Sequence, residues 1–165
     1  GYRKVLPLDV STQPLPFPEK SFDVVFCGEC LEHVVDTDWV LCEINRVLKP
    51  DAHFILTFPN IRTPVSMLMM LLNLPPMFSA RYRSAHVRDF TTGMIRLALQ
   101  NCGFLEDIMW GIDFYFPKIG HCLSSLARPL PSWAAQGIVR AVKEKDVPYS
   151  AEEVAKHEIF KSKTG

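Results

Sequence analysis

Two rhythms of apolar and polar positions alternate along the chain. Phe22-Asp23-Val24-Val25-Phe26-Cys27 is a short, nearly continuous apolar run rich in β-branched and aromatic side chains. That pattern predicts an interior strand of a parallel sheet. Apolar residues at 40, 41, 44, 47 and 48 then recur at helical spacing, with Asp36 or Thr37 as the cap and Lys49-Pro50 as the stop. His53-Phe54-Ile55-Leu56-Thr57-Phe58 predicts a second apolar strand, closed by Pro59-Asn60. Strand, helix, strand is the rhythm of an α/β, doubly wound sheet. Ahead of it, Lys4-Val5-Leu6-Pro7-Leu8-Asp9-Val10 suits an edge strand, because Pro7 has no amide hydrogen to give.

The pattern changes over residues 61–88. An apolar, methionine-rich stretch from Val65 to Leu74 ends at Pro75-Pro76, and a basic stretch from Arg81 to Arg88 follows. Regular structure resumes with a helix capped by Thr91 or Thr92 and ended at Cys102-Gly103, and then a strand over residues 104–110. A loop-and-helix excursion is expected over 117–131. Residues 136–143 read as a last strand with a short helix as competitor, and 146–165 as a surface helix or frayed tail.

Charge and composition narrow the picture. With 18 basic and 18 acidic side chains the net charge is zero, which argues against a nucleic-acid partner. The longest apolar stretch is well short of the ~20 residues of a membrane span. No segment reads as a secretion signal, and five cysteines without a repeating framework point to free thiols in a cytoplasmic setting.

Several short motifs occur in a recognisable order: Asp9-Val10, Leu15-Pro16-Phe17-Pro18-Glu19-Lys20-Ser21-Phe22-Asp23-Val24-Val25, Leu31-Glu32-His33-Val34, and Glu43-Ile44-Asn45-Arg46-Val47-Leu48-Lys49-Pro50. Together they resemble the class I S-adenosylmethionine-dependent methyltransferases, of the small-molecule type similar to quinone-biosynthesis methyltransferases. Phe90-Thr91-Thr92 and Cys102-Gly103-Phe104 extend the likeness more weakly. The resemblance implies a Rossmann-like sheet and S-adenosylmethionine as cofactor. It implies that the Asp9 carboxylate accepts from the adenine amino group while the Val10 N–H meets a ring nitrogen. Cys27, Gly28 and Glu29 then border the methionine part, at the strand end where open α/β sheets bind ligands. Glu32 and His33 face the transferred methyl, with His33 as a general base or, alternatively, the two as a structural pair at a helix start.

The resemblance also implies a glycine-rich loop, and the 165 residues contain no GxG. The expectation is therefore a partial Rossmann-like domain: residues 1–145 as its C-terminal part, with 61–88 as a lid-like apolar and basic insertion. Such a chain binds cofactor poorly and is inactive alone, and it exposes the edge of the 22–27 strand for pairing into a homodimer. The alternative is a non-catalytic interaction module derived from the same fold.

Three further expectations concern side chains. Arg46 to Pro50 reads as a structural helix end, and Asp51, where the family has glycine, must tolerate left-handed backbone. Met67, Met69, Met70, Leu71, Leu72, Met77 and Phe78 form either local core, the preferred reading, or an adaptable acceptor pocket. Arginines 62, 81, 83, 88 and 96 against the single Asp89 suggest an anionic acceptor, leaving a small molecule of apolar or anionic character. Cys27-Gly28-Glu29-Cys30 lacks the second knuckle of a zinc site, so no metal is expected.

Overall fold

The computed structural model describes residues 5–77, 86–116, 118 and 120–150. Its centre is a four-stranded sheet in the order β1-β2-β6-β3, where β1 is Phe22–Gly28, β2 Leu48–Pro59, β3 Phe104–Gly111 and β6 Gln136–Lys143. β1 and β2 are parallel; β6 runs antiparallel to both β2 and β3. A small hairpin pairs β4 (Phe114–Phe116), just ahead of the 117–131 excursion, with β5 (Gly120–Cys122) inside it, and a one-turn helix α4 (Ser124–Ala127) follows. Residues 136–143 are a strand, so the competing short helix is excluded.

Register explains where the core sits. Cys27, Leu56, Val139 and Met109 are successive partners across the sheet, and all four are buried. The adjacent row is Phe26, Ile55, Arg140 and Ile108, and there Phe26 remains 64% exposed. Paired residues share a face, so one face is covered and the other is largely open among the described residues. The covering helices are α1 (Thr37–Val47) and α3 (Thr92–Asn101), whose Leu41, Ile44, Ile95 and Leu99 join Phe54, Leu56, Phe58 and Phe104 in one cluster. Each of these large side chains contributes roughly 1.5–3 kcal/mol by leaving water.

Local chemistry sets the element ends. Asp36 is the cap of α1, its carboxylate accepting from Trp39 N, and Thr91 caps α3 in the same way through Met94 N. Lys49-Pro50 does not open a loop. The chain passes straight from α1 into β2, and the register with β1 slips between Phe22 and Val24. Asp51 lies in that irregularity at φ 60°, the left-handed backbone expected of it.

Arg46 does more than end a helix. Its guanidinium donates to the carbonyls of Phe17 (3.0 Å) and Leu15 (2.9 Å) and to Glu43, while Glu43 accepts from Leu15 N at 2.8 Å. Glu43 and Arg46 thus clamp the Leu15-Pro16-Phe17 segment against α1. The guanidinium holds the Glu43 carboxyl below the usual range, helped by the Leu15 amide.

Three expectations are corrected. Residues 5–10 form no strand, because Asp9 closes a turn on Ser11 and Thr12 instead. The methionine-rich stretch, as α2 (Pro64–Leu71), is not core. Its buried side is the small polar Ser66, bonded to Thr63 and Met77 N, while Met67, Leu68, Met70, Leu71, Leu72 and Leu74 are exposed; among the described residues of the named set Met77 alone is buried. Residues 146–150 are not frayed: Tyr149 packs edge-on to Trp39 and donates to Asp36, which pushes its phenol up to about 12. Phe78, Arg81, Arg83 and residues 151–165 lie outside the described residues.

Candidate active site

The carboxyl end of β1 is shaped by one strained turn. Glu29 adopts φ 47°, and its N–H points back to β2, where it meets Thr57 Oγ1 at 3.1 Å. A single 3-10 turn, Leu31–His33, follows, closed by His33 N to Cys30 O at 3.0 Å and anchored by fully buried Leu31. This geometry drives the Glu32 side chain inward, to 1% exposure, and leaves His33 facing out. Glu32 Oε1 lies 3.7 Å from His33 Nε2, and Glu32 Oε2 is buried with no hydrogen-bond partner.

A distant segment completes the site. Val87 N and Arg88 N both donate to the Glu32 carbonyl, at 2.8 and 3.2 Å, and the Arg88 guanidinium holds the carbonyl of Val35. They deliver His86, whose ring stands 4.9 Å from that of His33 at 76°. Nearby Glu29 is exposed, yet desolvation at the sheet end and then the Glu32 charge hold its carboxyl above the usual range, against the opposing pull of His86 and His33. Nothing in the linear pattern singled out His86; it was one member of a basic stretch, far in sequence from Glu32 and His33.

The remaining residues named from sequence fall into two settings. Cys27, Gly28 and Glu29 leave the strand together. A Cβ on Gly28 would come within 2.7 Å of the Phe26 ring, so the glycine is set by close packing. Cys27 and Cys30 share a hydrogen bond; it lowers the Cys30 thiol to about 7 and, with burial, pushes Cys27 up. Asp9 and Val10 form a separate turn. Ser11 N and Thr12 Oγ1 donate to the Asp9 carboxylate at 3.0 and 2.9 Å, which holds its pKa down, and Trp39 Nε1 ties Val10 O to the start of α1 at 3.2 Å. Of the five arginines, Arg96 is committed to Glu106 through two bonds and Arg88 to Val35, so the local positive excess is partly spent within the fold.

Two grooves among the described residues lie elsewhere. One of about 420 Å³ lies between α1 and residues 146–149, lined by Trp39, Glu43 and Tyr149. Another of about 280 Å³ lies beside Trp110 and Arg128.

Comparison with known proteins resolves the fold. The methyltransferase domain family matches residues 3–56. The fold is similar to that of an S-adenosylmethionine-dependent methyltransferase, possible histamine N-methyltransferase, from Thermotoga maritima. That match has a TM-score of 0.59 and 18% identity over 78% of this chain and 59% of that one. Residues 3–56 thus carry the methyltransferase domain match, on a fold shared with S-adenosylmethionine-dependent methyltransferases. Among curated relatives, a probable methyltransferase of Arabidopsis thaliana, PMT19, is 39% identical over 57 residues, covering 34% of this chain and 9% of that protein. A demethylmenaquinone methyltransferase of Lactobacillus johnsonii is 57% identical over 37 residues, 22% of this chain and 15% of that protein. The chain therefore spans a small part of the curated relatives it matches.

The family's cofactor fits one side of what is present. The Asp9 carboxylate is exposed, held ionised, and has lone pairs beyond the two its own turn uses.

Proposed function

We propose that the chain contributes the acceptor side and part of the cofactor site of a methyltransferase acting on a small molecule. The supporting observation is the grouping of Glu29, buried Glu32 and His33 at the carboxyl end of β1, where ligands bind in open α/β sheets. Asp9 and Val10 hold the adenine, and the Cys27-Gly28-Glu29 backbone borders the methionine part. S-adenosylmethionine supplies an electrophilic methyl on a sulfonium. The protein's share is to place the nucleophile in line and exclude water. Glu32 and His33 handle the acceptor's proton. The exposed Met and Leu side chains of α2 support an apolar acceptor.

Calorimetric titration with S-adenosylmethionine tests this reading. Binding by these 165 residues is expected to be weak, since no glycine-rich loop is among them, and Asp9→Ala should weaken it further by at least about 10-fold. Equal affinity of variant and parent would remove Asp9 from the cofactor site.

The edge of β1, with Val24 and Phe26 half or more exposed, supports pairing with a second copy. Sedimentation of the chain should show a dimer that Phe26→Lys dissociates. A monomer at high concentration would refute the pairing.

A further inference from the structure

Three side chains from two separate stretches converge beside β1. Glu32, His33 and His86 each bring one ligand atom to within 4.8 Å of the others. The contact is built rather than incidental, because the backbone amides that follow His86 are bonded to the Glu32 carbonyl. The Glu32 carboxylate is buried and its Oε2 accepts no hydrogen bond. A buried carboxylate oxygen without a donor is left with its desolvation cost unmet. Two imidazoles and a carboxylate form a donor set suited to borderline first-row cations.

We propose that Glu32, His33 and His86 bind one divalent first-row transition-metal ion. Metal bonds of about 2.0–2.2 Å place neighbouring ligand atoms roughly 3–3.4 Å apart, so the three atoms must close by little more than an ångström. His33 is exposed and His86 half-buried, so both imidazoles have room to adjust towards the buried Glu32 carboxylate. A set of two histidines and one carboxylate leaves coordination positions open for an oxygen ligand. Metal binding rests on these side chains alone. Its use in holding an acceptor oxygen and lowering that oxygen's pKa rests on the methyl-transfer reading.

The test needs neither cofactor nor acceptor. Apo protein is titrated with Co²⁺, followed by visible absorption, and with Zn²⁺, followed by calorimetry, for the parent chain and for Glu32→Gln, His86→Ala and Cys30→Ser. The expected result is one ion per chain, no thiolate-to-cobalt charge-transfer band, and affinity at least about 100-fold weaker in Glu32→Gln and in His86→Ala but unchanged in Cys30→Ser. His86 is on the surface, so its variant remains informative should Glu32→Gln fold poorly, and thermal melts establish which variants are folded. No binding by the parent chain, equal binding by folded His86→Ala, or loss of binding in Cys30→Ser would each overturn the proposal. The last result would place the ion on the Cys27–Cys30 thiols instead.

Discussion

Lys143→Ala lowers the stability of this chain by about 3–5 kcal/mol, a fall in melting temperature of roughly 10 °C or more. Lys143 sits at the end of β6 with its side chain 2% exposed, a place where an unpaired ammonium would be very costly. Its Nζ donates to Asn45 O at 2.7 Å and Leu48 O at 2.9 Å, carbonyls at the end of α1 and the start of β2, and reaches Asp146 at 2.6 Å. One ammonium therefore joins the helix end, the central strand and the segment after β6. Truncation to alanine leaves a cavity and two buried carbonyls without donors. Lys143→Met keeps most of the volume and loses only the polar contacts, so it should cost less. Equal stability of Lys143→Ala and the parent in urea denaturation would show that the contacts carry no weight.

The same pair has a pH signature. Hydrogen bonds from Lys143 and then Lys20 hold the Asp146 carboxyl below its usual range. A depressed folded pKa contributes stability that is present above the unfolded value and is lost as pH falls through the folded one. In Lys143→Met part of that acid-side loss should disappear from the stability profile.

Asn60→Ala should cost about 2–4 kcal/mol. Asn60 is fully buried just after β2, and its Nδ2 donates to Ala134 O at 2.8 Å and Ser132 O at 3.2 Å, while Oδ1 accepts from Arg62 N at 3.0 Å. Its backbone N–H donates to Ala135 O at 2.9 Å, and its neighbour Ile61 N donates to Phe90 O at 3.0 Å. The side chain thus holds residues 132–135 against the strand end that also seats the segment carrying His86. Alanine leaves several buried polar groups unpaired, each worth roughly 1–3 kcal/mol. Asn60→Asp separates the roles: it keeps the acceptor for Arg62 but turns an oxygen toward the carbonyls, and should destabilise at least as much. An Asp variant as stable as the parent in denaturant would dismiss the donor role.

Much of the framework was legible in one dimension. The apolar runs of β1 and β2, the periodicity of α1 and α3 and the caps at Asp36 and Thr91 are local properties, set by side-chain shape and by which backbone groups a neighbouring oxygen can reach. Ordered motifs were equally legible, and they pointed to the methyltransferase domain that matches residues 3–56. Element ends were less so. Nothing local announces that α1 runs into β2 without a loop, because the break depends on a register slip against β1. The apolar content of α2 looked like core, yet apolar content does not say which way a helix faces. The buried Ser66 hydroxyl, satisfied by Thr63 and Met77, decided that.

By itself, then, the sequence determined the α/β class, the methyltransferase domain match over residues 3–56 and the residues at the end of β1. Each rests on contacts between near neighbours or on motifs read in order. Tertiary structure alone decided that Glu43 and Arg46 clamp the Leu15-Pro16-Phe17 segment, that Lys143 ties a helix end to two strands, and that His86 stands beside Glu32 and His33. Those are long-range hydrogen bonds and burial, and a single buried carboxylate can recruit a partner from anywhere in the chain.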